Sequence, residues 1–273
     1  MSIISQFTAG PNRVEMLIDF LKTNKSKYTK KDLENIFSPQ SGSVFKEVFK
    51  VVEMLNLLTI KEDLVLHNIE NKKQNTLKII KDAIFNIDYI KDDNFNLSLA
   101  WLLVQHPQEM ISFQDNVGNR LVKDLSEQVS ELELTNTANF QHFIYWCEYL
   151  GFVNKISISG ETFISPDPTI AIKEELNINF KKNTTFTVKD FFIMLSKNLP
   201  ILEYGYVREK ITPMLRDGLF IPIDTLSYST SLAILRLEQQ HIVSLESKAD
   251  ADIIILQDGT NNQRISHIKY LGQ

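Results

Sequence analysis

Histidine, cysteine and carboxylate side chains are the groups most able to do chemistry, and in this sequence the first two are few and dispersed. There are five histidines: His67, His106, His142, His241 and His267. No two of them stand three or four residues apart, the spacing that places two metal ligands on one face of a helix. The single cysteine, Cys147, falls on the apolar side of a predicted helix, where a thiol packs as a small core group. These residues therefore predict no metal site.

Motifs that bind phosphate or activate a serine are absent from the sequence. It contains neither a glycine-rich loop ending in Gly-Lys-Ser or Gly-Lys-Thr nor a Gly-x-Ser-x-Gly elbow. With only 9 glycines, the chain also lacks the glycine-rich turns of doubly wound nucleotide folds. We predict no cofactor, no catalytic residues and a non-enzymatic function.

One set of residues supports a competing enzymatic hypothesis. Asp167, Glu246 and Lys248 could supply two carboxylates for Mg²⁺ and a lysine that positions water, as in metal-dependent nucleases. Glu246 and Lys248 share a predicted strand, but Asp167 lies nearly 80 positions earlier. Short motifs of this kind often occur by chance, so the nuclease remains the less favoured hypothesis.

Composition and charge exclude several classes of protein. The chain has 273 residues, with 29 basic and 34 acidic side chains, and a net charge of -5. A protein that binds polyanions over its whole surface needs an excess of clustered Lys and Arg, which this balance excludes. No apolar run approaches the ~20 residues of a membrane span, and the N-terminus lacks the pattern of a secretory signal. We expect a soluble, cytoplasmic protein with two or three domains and no membrane partner.

A recurring unit is visible along the chain. Each copy has an apolar helix with a glutamate near its end, then a break, then residues of strand type. The glutamates are Glu53, Glu148 and Glu238, spaced 95 and 90 residues apart. Near-constant spacing of this size indicates three copies of one domain. Asn56, Gly151 and His241 stand where each helix must stop, and Asn and Gly tolerate the left-handed conformation of a helix end.

The elements around this helix predict the architecture of the unit. Two shorter helices precede it and a hairpin follows it, which is the order of a winged helix, a variant of helix-turn-helix. In the third copy we predict a hairpin that joins Ile242–Leu245 to Ile253–Leu256. The fold class is mostly α with small β-hairpins (α+β), as tandem winged-helix-like domains.

Domain boundaries follow from this pattern. We predict winged helix 1 at residues 1–74, a linking helix within 75–91, winged helix 2 at 92–168, a connector at 169–186 and a winged-helix-like domain 3 at 187–273.

The first copy is the best candidate for contact with DNA. Up to Lys91 the chain has 14 basic and 11 acidic residues, so the acidic excess lies entirely in the remainder. The candidate nucleic-acid-binding residues are Lys30, Lys31, Lys46, Lys50 and Lys61. They could contact the backbone of double-stranded DNA from the third helix and the wing, or they could be an ordinary solvated surface. Both interpretations stay open at this point.

The second copy carries a candidate protein-binding surface instead. Gln141, His142 and Tyr145 are predicted to face outward from its long helix, and Tyr149 lies on the same stripe as Tyr145 at helical spacing. Aromatic residues that remain exposed often form a patch for a partner.

The three predicted units, together with the exit Ser165-Pro166-Asp167-Pro168-Thr169, resemble the DpdG family. These are accessory proteins of bacterial systems that insert a deazapurine base into DNA and restrict unmodified DNA. The resemblance implies a non-catalytic adaptor that works with other proteins of a DNA-processing or defence complex. A winged-helix transcription regulator and a docking partner of a chromosome-condensing ATPase are the alternatives, and homo-oligomerisation remains open.

Overall fold

The computed structural model describes residues 2–24, 26–38, 42–86, 93–126, 132–134, 136–259 and 262–272. Within them the protein is built from α-helices and small antiparallel sheets, which confirms the predicted α+β class. One continuous hydrophobic core runs through all parts of the chain, and its largest buried side chains include Trp101 and Trp146. None of the helices in these ranges is both long and apolar enough to cross a membrane.

The first unit follows the order helix, strand, helix, helix, strand, strand. Its elements are α1 (Pro11–Thr23), β1 (Tyr28–Thr29), α2 (Lys30–Phe37), α3 (Gly42–Met54), β2 (Leu58–Lys61) and β3 (Leu64–His67). The sheet has the order β1-β3-β2, so the last strand lies between the other two. At the start of α2, Thr29 and Asp32 form a reciprocal capping box, in which each side chain accepts a hydrogen bond from the backbone of the other residue.

The second unit repeats this order. Its elements are α5 (Asp93–Val104), β4 (Ile111–Ser112), α6 (Gly118–Asp124), α7 (Thr137–Tyr149), β5 (Val153–Ile158) and β6 (Glu161–Pro166). The strand order β4-β6-β5 again places the last strand in the centre. Between the first two units lies α4 (Thr76–Phe85), capped by Asn75, where the sequence predicts the linking helix. The rest of the predicted linker, residues 87–91, falls outside the described residues.

The third unit has the same order with two insertions. Its elements are α8 (Thr169–Asn179), β7 (Thr184–Thr187), α9 (Val188–Ser196), α10 (Tyr206–Ile211), α11 (Tyr228–Gln239), β8 (Val243–Glu246), β9 (Ile254–Leu256), β10 (Gln263–Ile265) and β11 (His267–Tyr270). The sheet β7-β11-β8 matches the other two sheets, and α10 and the β9-β10 pair are the inserted parts. The predicted connector 169–186 therefore contains α8 and most of β7.

The predicted hairpin of the third unit is wrong. β8 pairs with β11, in the register Leu245↔Ile268, and β9 pairs with β10 instead. The backbone of Ile255 in β9 is also hydrogen-bonded to Asp224 and Leu226. Because these bonds hold β9 beside the segment that leads into α11, it is not available to β8.

The ends of α3, α7 and α11 are the same in all three units. The second residue after each helix has a positive φ: 57° at Asn56, 83° at Gly151 and 56° at His241. Its N–H donates to the carbonyl of Glu53, Glu148 or Glu238, and the next N–H reaches the residue before that glutamate. These two bonds form a Schellman motif, which satisfies carbonyls that the helix leaves unpaired. The predicted helix stops are confirmed.

Candidate nucleic-acid interface

The outer side of α3 carries two lysines on an apolar helix. Val48, Phe49 and Val52 are buried against the rest of the first unit, which leaves Lys46 exposed and Lys50 partly exposed on the other side. Neither lysine forms an ion pair with a described residue. Unpaired ammonium groups on a helix surface are the groups that attract phosphates.

The one carboxylate between these lysines is occupied by the N-terminal segment. Glu47 Oε2 accepts hydrogen bonds from the Thr8 backbone N–H at 2.8 Å and from the Thr8 hydroxyl at 2.7 Å. This contact holds the carboxylate on the side of α3 that faces residues 2–10. The negative charge of Glu47 is therefore directed away from the open side of α3, which carries Lys46, Lys50 and the exposed Glu53.

Lys30 and Lys31 lie at the start of α2, close to α3. The Lys30 ammonium lies 4.4 Å from the centre of the Phe49 ring, a cation–π contact between α2 and α3. Lys31 is exposed and lies near Asp32, whose pKa is lowered by hydrogen bonds from Thr29 and, to a smaller extent, by Lys31. Lys30 is thus held in place, while Lys31 is free to reach outward.

Lys61 lies at the tip of the hairpin formed by β2 and β3. It is exposed, but the next two residues are Glu62 and Asp63, which turn the chain with φ values of 50° and 65°. These neighbouring carboxylates weaken the positive potential at the tip. Of the five predicted lysines, Lys46 and Lys50 therefore have the most favourable surroundings for an anion.

The third helices of the other two units, unlike α3, are partly covered by neighbouring units. In α11, Ser229 and Ser231 are fully buried, and the Ser229 hydroxyl donates to the Leu103 carbonyl of α5. The side of α7 that carries His142 packs against α1 and the 3-10 turn Ile3–Ser5. These helices join the units to one another, whereas α3 packs within its own unit against α1, α2 and β2.

The predicted partner surface divides into two sides. Tyr145 is 46% exposed, its ring lies 5.6 Å from Phe113, and the ammonium of Lys155 lies 4.2 Å from its centre. Gln141 is half-buried and donates to Gln114 Oε1 at 3.0 Å. Phe113 and Lys155 belong to this surface but come from β4–α6 and β5. Sequence reasoning missed them because no local pattern connects them to α7.

The prediction that His142 faces outward is wrong. The imidazole is only 5% exposed and meets the ring of Phe7 at 5.9 Å between ring centres. Burial lowers its pKa, against smaller opposite effects from a hydrogen bond to the Ile3 backbone and from Glu47. Tyr149 is half-buried on the same side, and burial is also the main cause of its raised pKa. The N-terminal segment, more than 130 residues away along the chain, covers this side of α7.

The residues of the nuclease hypothesis do not converge on one chemical site. The Asp167 carboxylate is paired with Arg236 and also accepts hydrogen bonds from Asn154 and Thr169. Glu246 pairs with its neighbour Lys248 at 3.4 Å. Among the described residues, no group of three or more His, Cys, Asp or Glu side chains is placed to hold a metal ion. Asp167 therefore has a structural role: its carboxylate holds the start of α8 and Arg236 in place.

Comparison with known proteins agrees with the resemblance seen in the sequence. No curated protein matches the chain. A family model described as DpdG-like matches residues 1–251, which is most of the chain and includes the first two units and much of the third. The predicted family is thereby confirmed, and with it an association with DNA-modification systems. The chain belongs to the DpdG-like family.

Proposed function

We propose that this protein is a non-enzymatic adaptor of a bacterial complex that processes or restricts DNA, and that its first unit contacts double-stranded DNA. In this proposal each unit is a winged helix, with α3, α7 and α11 as the third helices. The order helix, strand, helix, helix, strand, strand and a sheet whose last strand is central support this assignment.

The observation that carries the DNA contact is the environment of α3. Its outer side presents Lys46 and Lys50, while Thr8 holds the carboxylate of Glu47 away from them. Between Gly42 and Met54 the sequence of α3 contains no Arg, Asn or Gln. Those residues read bases through paired hydrogen bonds, whereas lysines mainly neutralise phosphates. The proposed contact is therefore to the DNA backbone.

The other two units provide the protein contacts of the proposed adaptor. The half-exposed ring of Tyr145, with Phe113 and Lys155 packed against it, forms an aromatic surface on the second unit, where Lys155 is also paired with Glu148. Tyrosine and other aromatic residues are enriched in the central parts of protein interfaces. The partners would be other proteins of the same cytoplasmic complex.

Fluorescence anisotropy with a labelled duplex, measured over a range of salt concentrations, tests the DNA contact. The double variant Lys46→Ala/Lys50→Ala should bind more weakly and show a salt dependence less steep by about 2 in logarithmic slope. The matched control is Lys189→Ala/Lys197→Ala, which removes two exposed lysines near α9 and should leave binding unchanged. Equal losses in both variants, or no duplex binding at low salt, would exclude the proposed contact.

A transcription regulator is the competing function, and the same assay distinguishes it. A regulator would prefer one duplex sequence strongly, since each good base contact contributes about 1–3 kcal/mol of discrimination. The absence of Arg, Asn and Gln from α3 favours similar affinity for unrelated duplexes. In a second assay the protein is co-expressed with the proteins encoded beside it. The wild type should co-purify with one of them, and the Tyr145→Ala variant should lose that partner.

A further inference from the structure

An apolar run of four residues, Phe220–Ile223, lies on the surface of the third unit between α10 and α11. Phe220 is 66% exposed and Ile223 is 90% exposed, while Pro222 is exposed and Ile221 is partly exposed. Single apolar side chains are common on protein surfaces, but a contiguous exposed run marks an interaction site. A partner that covers the run would remove this apolar surface from water.

Backbone hydrogen bonds hold the end of the run in one conformation. The N–H of Thr225 donates to the Pro222 carbonyl at 3.0 Å, and the N–H of Ile255 in β9 donates to the Asp224 carbonyl at 2.8 Å. The ring of Pro222 also fixes the φ angle of that residue. A surface that is already ordered loses little conformational entropy when it binds, so the run is prepared for a partner.

A cavity of about 500 Å³ lies beside the run. The run forms one of its walls, and the other apolar lining residues include Pro213, Leu215 and Leu226. Cavities of about 300–1,000 Å³ are large enough for drug-sized ligands, so this one has room for large apolar side chains. The third unit thus presents a protruding apolar part and a receiving apolar part next to each other.

The buried charges of this cavity are already compensated. Arg208 and Glu203 are paired at 3.1 Å, and Glu203 also accepts hydrogen bonds from Ser227 and Thr230. Glu209, the remaining charged residue of the lining, is exposed. An ionic ligand would therefore find no unpaired charge among the described residues in the buried part of the cavity, which favours apolar side chains as the occupant.

Charged residues of opposite sign flank the run. Arg216 precedes it and Asp224 follows it, and both side chains are exposed. Arg216 Nε donates to the Leu125 carbonyl at 3.0 Å, and the Asp224 carboxylate accepts from the Thr225 hydroxyl at 3.3 Å. Neither side chain forms an ion pair with a described residue. When two such segments lie antiparallel, each Arg216 meets Asp224 of the other segment, so the surface is complementary to itself in charge.

We infer that this surface binds a second copy of the chain in a two-fold symmetric dimer. The same surface of each copy takes part in such an interface, which therefore has to be complementary to itself. Phe220 and Ile223 of each copy enter the cavity of the other, and Arg216 of each copy lies opposite Asp224 of the other. A different protein that carried one sign of charge would leave Arg216 or Asp224 uncompensated, whereas a second copy compensates both.

Sedimentation velocity of the full chain tests the inference at about 1 to 100 μM, a range that covers moderately weak association. The mass expected at the upper end is twice the 31.5 kDa of the chain. Ile223→Glu places a charge in the apolar cavity of the other copy and should weaken dimerisation about a hundredfold. The substitution should not disturb the fold, because Ile223 is 90% exposed. The matched control is Ile158→Glu, at a half-exposed isoleucine of the second unit, which should remain a dimer.

Exchange of the flanking charges distinguishes a second copy from a different protein. Arg216→Asp and Asp224→Arg should each weaken dimerisation about tenfold, because like charges then face each other. The double variant Arg216→Asp/Asp224→Arg restores opposite charges across the interface and should recover most of the affinity. Double variants of this kind measure the coupling between two side chains.

Three results would overturn the inference: a monomer at every concentration, an unchanged dimer in Ile223→Glu, or a double variant that dimerises no better than the single variants. A monomer that co-purifies with a neighbouring protein, and loses it in Ile223→Glu, would assign the surface to that protein instead of a second copy. The inference is independent of the proposed DNA contact, because the two surfaces have no residue in common. Lys46→Ala/Lys50→Ala should therefore dimerise like the wild type.

Discussion

The carboxylate of Asp167 is ion-paired with the guanidinium of Arg236, and this contact joins the exit of the second unit to the third helix of the next. The same carboxylate accepts a hydrogen bond of 3.0 Å from the backbone N–H of Thr169 at the start of α8. The Asp167 side chain is 5% exposed, whereas its partner Arg236 is 40% exposed, so the ion pair lies at the edge of the buried region. A residue that could have belonged to a metal site instead fixes the junction between two units.

Replacing Asp167 with asparagine should destabilise the protein by about 1–3 kcal/mol, because the buried acceptor loses its charge while Arg236 keeps its own. Arg236 is partly exposed, so water replaces some of the lost interaction. Urea denaturation measures the change. The control is Asp115→Asn at an exposed turn, which should have no effect beyond error. Equal stability of the two variants would contradict the structural role of Asp167.

The glycine that ends α7 is required for two reasons. Gly151 has a φ of 83°, and a Cβ atom there would lie 2.9 Å from Ile170 Cγ2 and 3.2 Å from the backbone nitrogen of Ala171. Gly160, at the tip of the β5–β6 hairpin, has a φ of 86° but open space around it. Gly160→Ala should therefore cost only the conformational strain, about 1–2 kcal/mol.

Gly151→Ala should cost about 1 kcal/mol more than Gly160→Ala, because it adds a steric clash to the same strain. Thermal or urea unfolding of the pair isolates the contact with α8, since the backbone conformations are alike. A smaller loss for Gly151→Ala than for Gly160→Ala would show that α8 moves aside without cost.

A buried ion pair should make the third unit sensitive to the loss of one charge. Arg208 and Glu203 are each 7% exposed and 3.1 Å apart, and Glu203 also accepts hydrogen bonds from Ser227 and Thr230. Glu203→Gln leaves the Arg208 charge uncompensated and should cost about 3–5 kcal/mol. The double variant Glu203→Gln/Arg208→Met should lose less free energy of unfolding than the sum of the losses in Glu203→Gln and in Arg208→Met.

Chemical denaturation of these variants, with Glu209→Gln as an exposed control on α10, provides the measurement. Strict additivity of the single and double changes would mean that Glu203 and Arg208 do not stabilise each other.

Stability should fall as the pH falls through the range where free histidine titrates. The pKa of His142 is lowered from 6.5, chiefly by burial, so the unfolded chain takes up a proton at higher pH than the folded one. Above pH 6.5 His142 is neutral in both states and does not lower the free energy of unfolding. Below pH 6.5 the unfolded chain binds the proton more readily than the folded one, so the free energy of unfolding decreases. Urea unfolding at pH 7.5 and 5.5 should show a smaller loss for His142→Phe than for the wild type. The same pH dependence in both proteins would contradict this assignment.

Much of the local structure could be predicted because it depends on neighbouring residues. The apolar spacing in Val48–Leu57 sets the buried side of α3, and Thr29 with Asp32 sets the start of α2. The family could be recognised from the same order of elements. The short strands β1, β4 and β7 escaped prediction, since strands of two to four residues form only when a distant partner is present.

The candidate sites likewise combine features that follow from local sequence with features that depend on distant residues. The sequence was sufficient to place Lys46 and Lys50 on the outer side of a helix, because helical periodicity is local. It could not show that Thr8 directs Glu47 away from them, or that residues 3–7 cover His142.

By itself, then, the sequence determined where the helices of each repeat begin and end, through periodicity, capping residues and residues tolerant of positive φ. Tertiary structure alone decided that β8 pairs with β11 and that α7 and α11 are partly covered by other units. Helix ends are set by hydrogen bonds between residues four or five positions apart. Burial and strand pairing depend instead on contacts between segments far apart in the sequence, which remove apolar surface from water when they pack.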